Sequence, residues 1–232
     1  MKNYRTYLFD LDDTLLNFRE TEKLSFKMTI DHMKITHDVN ELFTYYKSEN
    51  EKLWSAFEQG LVSKDDLKVR RFILLSEHFG LNIDAKKMSD YYVDTFPNAV
   101  VLLDGALDVL EAAKQRGQVG IITNGIEYIQ HKRIEISGIK QFVDFVCVSE
   151  KCGYPKPDER FFQYTANHAK DFSKEHTIII GDRYEADIFG GHNFGIDTCW
   201  YNHEGVGVER PIHTYEIRTL SELHKMILKG SK

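Results

Sequence analysis

Few features in this chain suggest covalent or metal cross-linking. Its three cysteines, Cys147, Cys152 and Cys199, are odd in number and show no C-x-x-C spacing. That argues against a disulfide framework and a zinc site, and leaves reduced, buried thiols as the expectation. Long apolar runs are missing too. Stretches such as AVVLL and VCV fall far short of the roughly 20 residues that span a bilayer. Positive charge is not in excess. The net charge of −6 gives no general attraction to a nucleic-acid polymer or an anionic membrane, although a local site can still receive a small anion. The N-terminal MKNYRTYLFD lacks the apolar stretch and cleavage site of a signal peptide, so a cytoplasmic location is expected. No pair among the 10 histidines has H-x-x-x-H spacing, and no repeat or low-complexity tract occurs. No G-x-G-x-x-G follows the first apolar segment, which disfavours a dinucleotide-binding dehydrogenase.

What is present is an ordinary globular composition, 42% hydrophobic and 28% charged over 232 residues, enough for one sizeable domain or a core with an insert. Short β-rich segments are expected at Thr6–Phe9, Val119–Thr123, Phe145–Ser149, Thr177–Gly181 and Thr198–Tyr201. Helical stretches at Gly105–Arg116, Tyr128–Ser137, Glu159–Ala169 and Glu185–Asn193 alternate with the last four. That alternation predicts an α/β fold with a Rossmann-like parallel sheet. Between Asn17 and Pro97 the text changes to helical spacing, with Phe26/Ile30/Met33 and Leu53/Phe57, and shows no convincing strand. About eighty residues is too long for a loop. The expected organisation is a core of residues 1–16 and 98–232, with an inserted helical domain over 17–97.

Chemistry-bearing residues gather at the carboxyl ends of these strands. The first segment, YLFDLDDTLLNF, carries Asp10, Asp12 and Asp13. The second ends in Thr123-Asn124-Gly125, the third leads to Lys156-Pro157-Asp158, and the fourth ends in Gly181-Asp182, with Asp187 following. In open parallel sheets ligands bind outside those ends, where the winding reverses. Like charges a few ångströms apart repel by about 4 kcal/mol at an effective dielectric of 20, so such a cluster calls for a counter-charge. Mg²⁺ prefers carboxylate oxygens and retains places for water and phosphate. It would reverse the repulsion among Asp10, Asp12 and Asp182. Residues two apart on an extended chain share a side, so Asp10 and Asp12 can face one reacting group while Asp13 serves the turn.

Phosphoryl transfer suits this set. Asp10 would attack phosphorus and form an aspartyl-phosphate. Asp12 would protonate the leaving alcohol and then activate water. Lys156 and the metal would balance charge, and Thr123 with nearby backbone N–H groups would hold the phosphoryl oxygens. Asp187 either joins the metal or orients Lys156 or its own helix. Asn124 shapes the backbone and is a candidate phosphate contact.

The motifs resemble those of the haloacid dehalogenase (HAD) superfamily of phosphohydrolases. D-x-D-x-T stands as Asp10-Leu-Asp12-Asp13-Thr14, the motif threonine as Thr123 in IITNG, the lysine as Lys156 in GYPKPDERFF, and the acidic motif as GDRYEAD with Asp182 and Asp187. The helical insert lies where the family's C1-type cap belongs. A closer resemblance is to the house-cleaning pyrimidine 5′-nucleotidases, carried by FDLDDTLLNF, LWSAFEQGLVSKDDLKVRRF, GIITNG and GDRYEADIFGGHNFGIDTCWYN. It implies Mg²⁺-dependent hydrolysis of pyrimidine nucleoside 5′-monophosphates, small phosphomonoesters. A sugar-phosphate phosphatase or phosphomutase stays open as the nearer rival. A 2-haloacid dehalogenase is disfavoured because it typically lacks an acid at the place of Asp12. A receiver-type phospho-acceptor domain is far shorter and lacks such an insert.

Asn17 and Phe18, where the chain leaves the first strand, are candidate contacts for base or sugar. Trp54 is either core or a substrate platform. Gly60 could form a specificity loop, by analogy with other caps of this type. Arg71 matches an arginine of close relatives, although a helical arginine ordinarily makes a solvent salt bridge. Arg183 and Tyr184 stand where relatives carry smaller side chains; the Arg183 guanidinium either helps to hold phosphate or pairs with Glu185, and the pairing is the expectation. Pro155 constrains the approach to Lys156.

Overall fold

The computed structural model describes residues 1–230. Its elements in chain order are β1 (Thr6–Phe9), α1 (Phe18–His32), α2 (Val39–Glu58), α3 (Lys64–Phe79), α4 (Ala85–Thr95), α5 (Ala106–Lys114), β2 (Gln118–Thr123), α6 (Glu127–Ile136), β3 (Phe145–Val148), α7 (Ser149–Cys152), α8 (Glu159–His168), β4 (Thr177–Gly181), α9 (Gly190–Phe194), β5 (Asp197–Tyr201), β6 (Tyr215–Ile217) and α10 (Leu220–Lys229). The chain divides into two compact units. One comprises Met1–Phe18 together with the chain from Val100 onward, and the other is Arg19–Ala99. The observed helical unit and the expected insert, 17–97, differ by two residues at each end.

The first unit is built on a six-stranded, wholly parallel sheet in the order β3-β2-β1-β4-β5-β6. The chain winds outward from β1 through β2 to β3, then returns to place β4 on the other side of β1. The winding therefore reverses between β1 and β4, where Phe9 stands opposite Ile180. Both strands, TYLF and TIIIG, are apolar beyond their opening threonines and buried at every position, as a parallel sheet covered on both faces requires. Alternation then sorts the residues. Tyr7, Phe9, Ile121, Ile178 and Ile180 join Val109 and Leu110 of α5 and Leu220, Leu223 and Ile227 of α10. Leu8, Ile122, Cys147 and Ile179 pack with Phe161 and Phe162 of α8 and Phe194 of α9 on the opposite face.

Several local features differ from expectation, and α10 was not among the expected helices. β3 stops at Val148 because Ser149 opens the short helix α7. The stretch expected as one helix, Glu185–Asn193, is a π-helical turn, Tyr184–Phe189, followed by α9; such turns recur at functional positions, and this one carries Asp187. β6 escaped notice because three residues, Tyr-Glu-Ile, are too few to show alternation. Cys147 and Cys199 are buried and Cys152 is half-buried, all as free thiols. Among the described residues no helix is long and apolar enough to cross a membrane.

The helical unit is organised by capping and by an aromatic core. Asp38, Ser63 and Asp84 each accept hydrogen bonds from the first-turn N–H groups of α2, α3 and α4, the arrangement expected of N-cap residues. Phe26, Ile30, Leu42, Tyr46, Phe72, Met88 and Tyr92 are buried. Trp54 is half-buried, edge-on to Phe57 at 5.8 Å.

Arg71 does not make the solvent salt bridge ordinary for a helical arginine. It is 3% exposed, donates through Nη1 to Tyr46 Oη (3.1 Å) and Asn50 Oδ1 (3.3 Å), and donates through Nε to the Lys68 carbonyl (3.2 Å). Its guanidinium lies 4.6 Å from the Tyr92 ring centroid. Asn50 in turn donates to Glu22 at 2.7 Å. A buried cation needs such a lining, because an unpaired charge away from water is costly. Burial pushes the Glu22 carboxyl up to about 7 despite the opposing pull of Arg71.

Because Glu22 is raised from its ordinary 4.5, its contribution to stability is complete below that value and is lost as pH climbs through about 7. Between these limits wild type should lose on the order of 1–3 kcal/mol relative to Glu22→Gln. Melting temperatures of both proteins from pH 4.5 to 7.5 measure this; parallel curves would show that Glu22 does not titrate there.

Candidate active site at the carboxyl edge of the sheet

Asp10 follows β1 directly, and its N–H donates to the Ile180 carbonyl at 2.9 Å. This bond extends the β1–β4 pairing one residue past the strand and sets Asp10 at the point of reversal. The side chain is largely enclosed, with Asp10 7% exposed. Lys156, 1% exposed, arrives from the loop before α8. Its ammonium donates to Asp10 Oδ1 (2.7 Å), Asp187 Oδ1 (2.6 Å) and the Ile122 carbonyl (3.0 Å). Three donors meet three acceptors, so the lysine is fully satisfied. Burial pulls its pKa down, but the carboxylates of Asp10 and Asp187 outweigh that and leave it raised.

The loop that delivers Lys156 is fastened by Asn124. Its Nδ2 donates to the Lys156 carbonyl at 2.9 Å, and its Oδ1 accepts the Lys156 N–H at 2.8 Å. Asn124, expected as a backbone-shaping residue and candidate phosphate contact, thus has both ends of its amide on the Lys156 backbone. Asp182 follows β4. Thr14 donates its hydroxyl to Asp182 Oδ1 (3.2 Å) and accepts the Asp182 N–H (3.1 Å). Asp187 Oδ2 accepts the N–H of Arg183 at 3.2 Å. Gly181 is required here, because a Cβ at that position would collide with the Asp187 carboxylate. Tyr184 lies edge-on to Trp200 at 4.7 Å, and its hydroxyl accepts the Ile212 N–H at 3.0 Å.

Asp10, Asp182 and Asp187 present carboxylate oxygens within 4.8 Å of one another. Burial, followed by Lys156 in opposition and by the neighbouring Asp187 and Asp12 charges, brings the Asp10 carboxyl up to about 7. Burial and the charges of Asp10 and Asp187 push Asp182 well above the usual carboxylate range. One lysine sits between two of three crowded acids. An oxygen-only donor set with excess negative charge fits a hard dication such as Mg²⁺, whose charge favours the ionised acids.

The Asp12 carboxylate, expected as a metal ligand as well as the acid–base group, is engaged by α6. Its Oδ1 forms an ion pair with Arg133 Nη1, and its Oδ2 accepts from Gln130 Nε2 at 2.6 Å. The carboxylate trio is completed by Asp187, the residue expected either to bind metal or to orient Lys156; it does hold Lys156 as well. Asp13, at φ +53°, accepts the N–H of Phe18, the first residue of α1, at 3.0 Å, the turn service expected of it. Thr123 is buried, and its Oγ1 accepts from the Gly125 N–H (3.0 Å) and from Gln130 Nε2 (2.9 Å). Asn17 donates its N–H to the Val101 carbonyl at 2.7 Å, and the Phe18 ring lies 5.9 Å from the Arg133 guanidinium. Trp54 and Arg71 belong to the helical unit, where the described partners of Arg71 also lie.

Sequence reasoning missed Gln130 and Arg133. Neither was singled out in EYIQHKRIEI, yet the structure buries both with Ile129 and Ile134 on one face of α6. The available signal was spacing: Ile126, Gln130 and Arg133 recur at the interval of a buried helical stripe.

Comparisons with known proteins agree with the fold. The profile described as haloacid dehalogenase-like hydrolase matches residues 7–201. The chain is 38% identical over 228 residues to the HAD-hydrolase YfnB of Bacillus subtilis, covering 98% of this chain and 97% of that protein. It is 35% identical over 222 residues to the pyrimidine 5′-nucleotidase PynA of Streptococcus pneumoniae (95% and 93% covered) and 30% identical over 222 residues to the pyrimidine 5′-nucleotidase YjjG of Escherichia coli (95% and 96%). The magnesium-bound crystal structure of YfnB superimposes with a TM-score of 0.90, covering 97% of this chain and 99% of that one. With the family profile matched over most of its length and a relative 38% identical along nearly all of it, the chain belongs to the haloacid dehalogenase-like hydrolase family.

Proposed function

We propose that the protein is a Mg²⁺-dependent phosphomonoesterase acting on pyrimidine nucleoside 5′-monophosphates through an aspartyl-phosphate. The observation that carries the reading is the disposition of Asp10. Lys156 holds its Oδ1 at 2.7 Å, which orients Oδ2 for attack at the edge where open parallel sheets receive ligands. Asp10, Asp182 and Asp187 are the side chains that would hold the metal; when bound, it supplies positive charge against the phosphoryl oxygens.

The chain's own residues account for the proton and bond changes. Asp10 Oδ2 forms a bond to phosphorus as the ester P–O bond breaks, and Asp12 gives its proton to the departing alcohol. Asp12 then takes a proton from water, whose oxygen bonds to phosphorus while the bond to Asp10 breaks. Phosphate leaves and both aspartates return to their starting states. Thr123 and the N–H groups of the turn after β2 are assigned to the phosphoryl oxygens, with Asn124 keeping Lys156 in place. The helical unit takes the part of the family's cap. The substrate class is supported by the similarity to PynA and YjjG.

Phosphate release should be measured with Mg²⁺ across nucleoside monophosphates, sugar phosphates and a 2-haloacid. Fastest turnover is expected with pyrimidine nucleotides; preference for sugar phosphates, or halide release, would replace the substrate assignment. Asp10→Asn should abolish turnover in a folded protein. Asp12→Asn should lower kcat by about 10²–10⁴-fold, the usual worth of a general acid–base group, and a wild-type rate in either variant would remove that residue from its role. Excess chelator should stop phosphate release and added Mg²⁺ restore it, whereas full activity in chelator would rule out the metal requirement.

A further inference from the structure

We propose that Arg133 and Gln130 form a positioning device for Asp12, fixing the plane of the carboxylate that exchanges protons with alcohol and water. The proposal deepens the reaction assigned above and rests on it.

Asp12 lies three residues beyond the end of β1 and immediately before the Asp13 turn, outside the strands of the sheet. A carboxylate in such a place can rotate unless both oxygens are held. Here both are: Oδ1 is paired with Arg133 Nη1, and Oδ2 accepts from Gln130 Nε2 at 2.6 Å. The two holders are themselves joined, since Arg133 Nη1 donates to Gln130 Oε1 at 2.9 Å. Gln130 Nε2 also donates to Thr123 Oγ1 at 2.9 Å. One amide thereby ties the carboxylate after β1 to the hydroxyl ending β2, the two groups assigned to the leaving oxygen and to the phosphoryl oxygens.

The placement is costly for the fold, which argues against accident. Arg133 is 0% exposed, and a buried guanidinium destabilises unless paired and hydrogen-bonded. Gln130 is buried beside it, one helical turn away on the face that α6 also uses for Ile129 and Ile134. Apolar residues at 130 and 133 would cover the sheet at lower cost. Gly125 completes the argument, because a Cβ there would collide with the Gln130 amide. The turn after Thr123 is thus shaped to admit Gln130. Misplacing a catalytic group by about 1 Å can cost about 10²-fold in rate, and that is the loss this network would prevent.

A four-member cycle of wild type, Asp12→Asn, Arg133→Gln and the double variant tests it, with melting temperatures recorded for each. On a pyrimidine nucleotide, Arg133→Gln should lower kcat by about 10²-fold with KM unchanged. In the Asp12→Asn background the same change should cost nothing further, because the residue acts through Asp12. p-Nitrophenyl phosphate supplies a readout that a general structural defect would not produce. Its phenolate departs without a proton, so Arg133→Gln should keep a first-turnover burst at the wild-type rate. Steady-state release should still fall, because water needs Asp12 in the second step. Arg133→Lys keeps the buried charge and loses the planar fork; it should show the same retained burst and slowed steady state, and it serves if Arg133→Gln fails to fold. Equal losses in burst and steady state, or a second full loss in the Asp12→Asn background, would overturn the proposal. Absence of phosphate release by wild type would overturn the assigned reaction itself, and the two failures are therefore distinguishable.

Discussion

The structure turns on one buried ammonium group. Lys156 lies between Asp10 and Asp187, with its third donor on the Ile122 carbonyl, and so joins the segments after β1 and β4 to the loop before α8 and to β2. Removing the ammonium would leave the carboxylates of Asp10 and Asp187 without their cation away from water, a change that typically costs about 3–5 kcal/mol. The surrounding features serve this contact. Asn124 grips the backbone of the lysine, and Gly181 leaves room for the carboxylate of Asp187. The parallel sheet reverses between β1 and β4, which brings the two acid-bearing strand ends side by side.

A second charge pair stands beside the first and has a different character. Lys156 is a compact cation satisfied by three oxygens, suited to holding one carboxylate oxygen while leaving the other for chemistry. Arg133 is a planar fork on α6, suited to fixing the orientation of Asp12 together with Gln130. Two aspartates separated by a single residue are thus held by different cations from different parts of the chain. Environments that differ in this way allow neighbouring carboxyl groups to take different roles.

Much of this was legible beforehand. The strands around Thr6–Phe9 and Thr177–Gly181 stood out because a strand buried on both faces is apolar without interruption. Asp10, Thr123 and Asp182 could be picked out because each ends or follows an apolar segment at the same edge of an expected parallel sheet, and Lys156 because its proline-flanked segment resembles the lysine motif of the family. Asp187 was visible as an acid near that edge, but not its approach to Asp10 and Asp182, which depends on the π-helical turn and on the missing side chain at Gly181. Arg71 carries a charge that a helical arginine ordinarily sends to solvent, and it is buried because Tyr46 and Asn50 of α2 receive it; Arg133, not singled out beforehand, is buried against Asp12 and Gln130.

The sequence by itself determined the alternating α/β order, the helical character of the long insert, and the concentration of acids after strands. These follow from local periodicity and from residues only a few positions apart. Tertiary structure alone decided which charges became neighbours: Lys156 reaches Asp10 across 146 positions of chain and Arg133 reaches Asp12 across 121. Partnership of that kind depends on strand order and helix docking. A carboxylate's surroundings are therefore a property of the assembled sheet, whereas its presence at a strand end is a property of the chain.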